Sequence, residues 1–149
     1  MKIKLSVSED KYAKIRDELL AAGIEIEEDA DYELIERNQH PAHLSVQNED
    51  GERMHIKTED IIFIESFGHL IEVHTAEAVF KTTDRLYQLI ATLDPTKFLR
   101  VSNSVIIAKK QIRHIKPSFS MKFVLLMSDG SQVDVTRSYY GSFKEAMGI

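Results

Sequence analysis

From His43 onward the chain is cut into short pieces that alternate apolar and polar residues, with turn signals about every 8–12 residues. "HLSVQ", "NEDG" and "ERMHIK" read as a β-hairpin. "TED" turns into "IIFIESF", Gly68 breaks the run, "HLIEVHT" resumes it, and "AEA" turns into "VFKTT". Thr83 or Asp84 then caps a short helix, "RLYQLIATL", ended by Pro95. "FLRV", "VIIA" and "IRHI" follow as two or three very short strands, and Pro117–Ser120 reads as a loop. "MKFVLLM", "SDGS" and "QVDVT" form a second hairpin with an Asp-Gly turn. "RSYYGSFKEAM" closes the chain as a short helix. The expectation is a mainly β domain with short helices over residues 43–149.

Residues 1–40 have a different rhythm. Ile3, Leu5 and Val7 alternate as in a strand. Ser8 is placed to N-cap a helix with Glu9 and Asp10 in its first turn, Tyr12, Ile15, Leu19 and Leu20 repeat at helical spacing, and Gly23 stops it. Strand-like alternation returns at Ile24 and Ile26 and around Tyr32–Ile35. This is a small β-α-β(-β) unit, joined to the rest by "NQHPAH", with Pro41 as punctuation. It is expected to serve dimerisation or the docking of a partner.

Several classes of chemistry find no support. The 149 residues contain no cysteine, so there are no disulfides, thiolate metal sites or thiol nucleophiles. The six histidines, at 40, 43, 55, 69, 74 and 114, form no H-E-x-x-H, and no P-loop, G-x-S-x-G or G-x-G-x-x-G occurs. Neither an enzyme nor a cofactor is expected. "MKIKLSVSEDKY" has no apolar core of a signal peptide, and no apolar run nears the roughly 20 residues of a membrane span. The expected location is the cytoplasm.

Charge is unevenly distributed. Residues 1–60 hold 8 basic against 16 acidic residues, whereas residues 95–149 hold 9 basic against 3 acidic. Between Asp94 and Asp129 there is no carboxylate at all, but Lys97, Arg100, Lys109, Lys110, Arg113, Lys116 and Lys122 all occur. A stretch kept free of acids in an acidic chain points to a face that meets a polyanion.

Three segments carry a resemblance. "DIIFIESFGHLIEVHT", "RLYQLIATLDPTKFLRVSNSVIIAKKQIRHI" and "VLLMSDGSQVDVTRSYYGSFKEAM" resemble, in order and spacing, the LytTR family of bacterial DNA-binding domains. The resemblance covers about 105 residues of the chain; residues 1–40 lie outside it and show no receiver domain. It implies an elongated β-sandwich whose loops, rather than a recognition helix, enter DNA major grooves. It assigns base contacts to His69, Asn103 and Arg137. Backbone contacts fall to Arg100, Ser102, Ser104, Lys109, Lys110, Ser138 and Tyr139. Two positions depart from the family's pattern: Ser102 stands where His is common, and Ala108 where Asn is common. The implied partners are double-stranded DNA with repeated half-sites, a second copy in a homodimer, and a membrane-protein inhibitor.

The residue chemistry agrees. Arg can bind guanine O6 and N7, Asn can bind adenine N6 and N7, and Ser and Lys suit phosphates. Each position also has a structural reading. His69 follows Gly68 as a solvated turn residue, Asn103 holds a tight turn, or Arg137 pairs with Asp134 on the hairpin. The competing function is a non-catalytic protein-interaction module.

Overall fold

The alternating pieces become three β-sheets in the computed structural model of the protein, which describes residues 1–37 and 40–149. Asn38 and Gln39, part of the expected linker, lie outside the described residues. The chain divides into two compact units, residues 1–39 and 40–149.

The first unit runs β1 (Lys2–Ser6), α1 (Glu9–Ala21), β2 (Glu25–Ile26), β3 (Tyr32–Ile35), the β-α-β(-β) order read from the sequence. Both β2 and β3 pair parallel to the central β1. Among the described residues of this unit, only Ile3 and Leu5 are buried. Tyr12, Ile15 and Leu19 of α1 are half-buried, so the helical repeat covers the sheet without making a sealed core. Ser8 does stand at the N-cap, but its side chain makes no cap bond. Its carbonyl accepts from Lys11 N–H at 3.0 Å, and its own N–H donates to Glu36 Oε2 at 3.2 Å. Glu36 also pairs with Lys11, and the Lys11 and Ser8 bonds hold the Glu36 carboxyl below the usual range. Gly23, at φ 82°, supplies the left-handed residue after the helix that a side chain would strain.

The second unit contains β4 (His43–Gln47), β5 (Arg53–Lys57), β6 (Ile61–Phe67), β7 (Leu70–Thr75), β8 (Val79–Thr82), α2 (Leu86–Thr92), β9 (Phe98–Arg100), β10 (Val105–Ala108), β11 (Ile112–Ser118), β12 (Lys122–Met127), β13 (Gln132–Val135) and α3 (Tyr140–Met147). Seven strands form one antiparallel sheet in the order β5-β4-β8-β7-β6-β10-β9, and three form a second, β11-β12-β13.

The central strands explain the two runs that do not alternate. Ile61 through Ile64 and Val105 through Ala108 are all buried, because both faces of the large sheet are covered. On one face, Ile61, Ile64 and Ile106 pack with Leu86, Leu89 and Leu93 around α2. On the other, Ile62, Phe63, Val105 and Ile107 pack against Phe123, Leu125, Met127, Val133 and Val135 of the small sheet and Phe143 of α3. A bulge between Ile61 and Phe63 gives β6 its break in alternation. Each such side chain, fully buried, contributes about 1.5–3 kcal/mol. The resulting fold is mainly β, with short helices, and sandwich-like.

Two local expectations are corrected. The cap of α2 is Arg85, not Thr83 or Asp84. Gln88 Oε1 accepts the Arg85 N–H at 2.9 Å, while the Asp84 N–H is held back by Thr82 Oγ1 at 3.2 Å. Pro117 and Ser118 belong to β11 rather than to a loop, Pro117 lying opposite Phe123. β11 is an edge strand, where the missing proline N–H forfeits no ladder bond.

Candidate nucleic-acid interface

Strand pairing gathers His69, Asn103 and Arg137 at one end of the second unit. β10 runs antiparallel to both β6 and β9, so its first residue, Val105, lies opposite Glu65 near the end of β6, and the β9–β10 loop emerges there. Ser66 N–H donates to Ser104 O at 2.8 Å and ties that loop to β6. Thr136 N–H donates to Val101 O at 3.0 Å and ties the end of β13 to the same loop.

His69 sits at the tip of the β6–β7 hairpin, between the opposed Phe67 and Leu70. Gly68 takes the first central position at φ 63°, the left-handed residue that a two-residue hairpin of this type needs. His69 is exposed, and its Nδ1 lies 3.0 Å from Arg85 Nη1.

The β9–β10 loop is held from inside. Arg100 Nε donates to Ser102 O at 3.1 Å, and its Nη2 donates to Asn103 O at 2.7 Å. Ser102 is buried at 7% exposure, and its Oγ accepts the Ser104 N–H at 3.2 Å. Arg100 and Ser102, expected on DNA phosphates, are therefore engaged within the loop. Asn103 is exposed at the loop's tip, and its Oδ1 accepts the Tyr139 hydroxyl at 3.1 Å.

Arg137 is exposed and opens a 3-10 turn, Arg137–Tyr139, that leads into α3. The turn is pinned by Tyr139 N–H to Thr136 O at 2.9 Å. Among the described residues the Arg137 guanidinium makes no ion pair or hydrogen bond, so the pairing with Asp134 is not formed. Ser138 is exposed beside it.

The β9–β10 loop and the turn after β13 border a groove of about 850 Å³, which brings Asn103 and Arg137 together and does not include His69. Asn103, Ser104, Lys122, Arg137 and Ser138 line it, and so do Glu65 and Asp134. The two carboxylates make the groove a poor seat for phosphate. His74, also in the lining, stacks on Phe63 with ring centroids 4.1 Å apart, and its Nε2 is buried without a hydrogen-bond partner.

Lys109 and Lys110 are not part of this cluster. They follow Ala108 at the far end of β10, four strand residues or about 13 Å from the Asn103 loop. Lys122 belongs to the acid-free stretch already marked in the sequence. No local signal marks the contact of Arg85 with His69 or the inward bond of Tyr139, since each depends on pairings between distant strands. Among the described residues no group of three or more His, Asp or Glu is arranged to hold a metal ion. No helix among them is long and apolar enough to cross a membrane.

Residues 51–148 match the family model described as the LytTr DNA-binding domain. The chain is 29% identical over 106 residues to the transcriptional regulatory protein LytR of Staphylococcus aureus strain N315, covering 71% of this chain and 43% of that protein. It is 29% identical over 115 residues to the sensory transduction protein LytT of Bacillus subtilis strain 168, covering 76% and 48%. The chain thus spans about half the length of these curated relatives. A solved structure, the LytTr DNA-binding domain of a putative methyl-accepting/DNA response regulator from Bacillus cereus, has the same fold at a TM-score of 0.70. That likeness covers 73% of this chain and 99% of the other, at 22% identity.

Proposed function

We propose a function for this chain from one premise: it belongs to the LytTR family, the family of the LytTr DNA-binding domain. It binds double-stranded DNA at specific sequences and regulates transcription in a bacterial cytoplasm. His69, Asn103 and Arg137 read base edges in the major groove from three loops at one end of the second unit. Ser104, Ser138 and Lys122 meet the flanking phosphates in this reading. Arg100 and Ser102 act one step back, holding the β9–β10 loop in shape. Tyr139 orients Asn103. Lys109 and Lys110 add positive potential to the acid-free segment.

The observation that supports this reading best is the bonding between loops far apart in sequence. Thr136 is bonded to Val101, and Tyr139 to Asn103, with Arg137 left exposed between them. A rigid frame around exposed polar tips is what base recognition requires.

Residues 1–39 carry 6 basic against 11 acidic residues, which disfavours contact with DNA. This unit serves a protein partner: a second copy, giving a dimer on repeated half-sites, or a membrane-protein inhibitor. The carboxylates of Glu65 and Asp134 in the groove favour a second reading, a module that binds only protein. Selection of duplexes from a randomised pool by the purified full chain separates the two. A DNA-binding chain retains a defined sequence, and its affinity falls with salt at a log–log slope of about −0.9 per phosphate contacted. Recovery of no preferred sequence at low salt leaves the protein-binding reading.

A further inference from the structure

Arg85 Nη1 lies 3.0 Å from His69 Nδ1. The two residues meet because β7 and β8 pair with Ile71 opposite Thr82, which brings the start of α2 beside the Gly68–His69 turn. A guanidinium carries donors only. Nδ1 must therefore accept, and it can do so only in the neutral imidazole whose proton is on Nε2. Neither an imidazolium nor the Nδ1–H tautomer has the lone pair this contact needs.

Both ends of the bond are anchored by backbone. His69 is held by the Gly68 turn, and Arg85 by its N–H to Gln88 Oε1 bond at 2.9 Å. The bond, as placed, calls for a turned imidazole whose second nitrogen is a donor on an exposed loop tip. A side chain ordered in advance has less rotamer freedom to lose on binding.

We infer that Arg85 is a positioning residue that holds His69 as the Nε2–H tautomer, so that His69 reads a hydrogen-bond acceptor on a base edge. The acceptors available in the major groove are a purine N7, guanine O6 and thymine O4; the cytosine N4 amino group, a donor, is rejected. This rests on the reading of His69 as a base contact, and it adds the partner residue and the chemical sense of the contact.

The test has two arms, both on the full chain. In the first, imidazole nitrogen NMR above the ordinary histidine titration range shows His69 in the Nε2–H form, and Arg85→Ala moves it toward a mixture. The second compares affinity for the duplex retained from a randomised pool with affinity for a scrambled duplex of the same composition. Arg85→Ala is expected to lose roughly 2- to 10-fold on the retained duplex and little on the scrambled one. Added to His69→Ala, it causes no further loss. Arg85→Lys, which keeps a donor, recovers part of the effect.

An Nδ1–H tautomer in the parent chain overturns the inference. So do losses that add to those of His69→Ala and fall equally on both duplexes, since Arg85 would then be a phosphate contact. In that case the parent still selects DNA, and the wider reading stands. A parent chain that retains no duplex fails both, and the spectra then report only the bond between the two side chains.

Discussion

Tyr139 donates its phenolic hydroxyl to Asn103 Oδ1 at 3.1 Å, across 36 residues of sequence. The bond joins the turn after β13 to the tip of the β9–β10 loop. It leaves Asn103 one free lone pair on Oδ1 and its amide N–H groups, the set needed for two bonds to adenine.

Tyr139→Phe is therefore expected to weaken the best DNA site by about 0.5–1.5 kcal/mol, or roughly 2- to 12-fold, with relaxed preference at one base pair. Random duplex should be bound as before. Competition binding at one fixed salt concentration checks this. An equal loss on both duplexes would return Tyr139 to the role of a phosphate contact.

Arg137 is exposed and unpaired among the described residues, so its fork is free for a guanine. Arg137→Lys keeps the charge and loses the planar pair of donors. The expected loss on the best site is about 1–3 kcal/mol, roughly 5- to 150-fold, with random binding retained. Thermal unfolding should be unchanged, because no bond to Asp134 is broken. A variant as tight as the parent would reduce the arginine to a point charge.

Lys109 and Lys110 stand at the other end of β10 from Asn103. Over about 13 Å their field is largely screened at physiological salt. Lys109→Ala with Lys110→Ala should weaken specific and random duplex alike, by less than about 3-fold. The salt slope is the measurement. A fall of one full contact per lysine would mean that the duplex runs along the sheet and touches them directly.

Phe143 anchors α3 in the core shared by the two sheets, fully buried against Phe123 at 5.3 Å between ring centroids. Phe143→Ala should cost about 3–5 kcal/mol in denaturant unfolding. DNA binding should fall with it, since α3 follows directly from the turn that holds Arg137 and Tyr139.

Among the described residues, every buried apolar side chain except Ile3 and Leu5 lies between Leu44 and Phe143. Residues 43–149 alone are therefore expected to fold, with a cooperative transition by circular dichroism. If residues 1–39 make the dimer, sedimentation of the fragment will show a monomer, and binding to paired half-sites will weaken more than binding to one. An unfolded fragment would sink the division into independent parts.

The strands, hairpins and short helices were legible in the residue order because their causes are local. Period-two alternation, Gly68 in a two-residue turn and Asp129-Gly130 between β12 and β13 act within a few residues. The buried runs "IIFI" and "VIIA" marked strands, but their order in the sheet, β6 beside β10, joins residues about 40 apart. What that order decides was invisible. Arg100 turns inward onto the carbonyls of Ser102 and Asn103, Ser102 is buried, and Pro117 continues a strand because that strand is an edge. The exposed residue types pointed to a polyanion. Which of them stand free at the loop tips and which brace the loops depends on hydrogen bonds such as Thr136 to Val101 and Arg85 to His69. Those bonds form only once distant strands have packed, so side-chain chemistry alone cannot assign them.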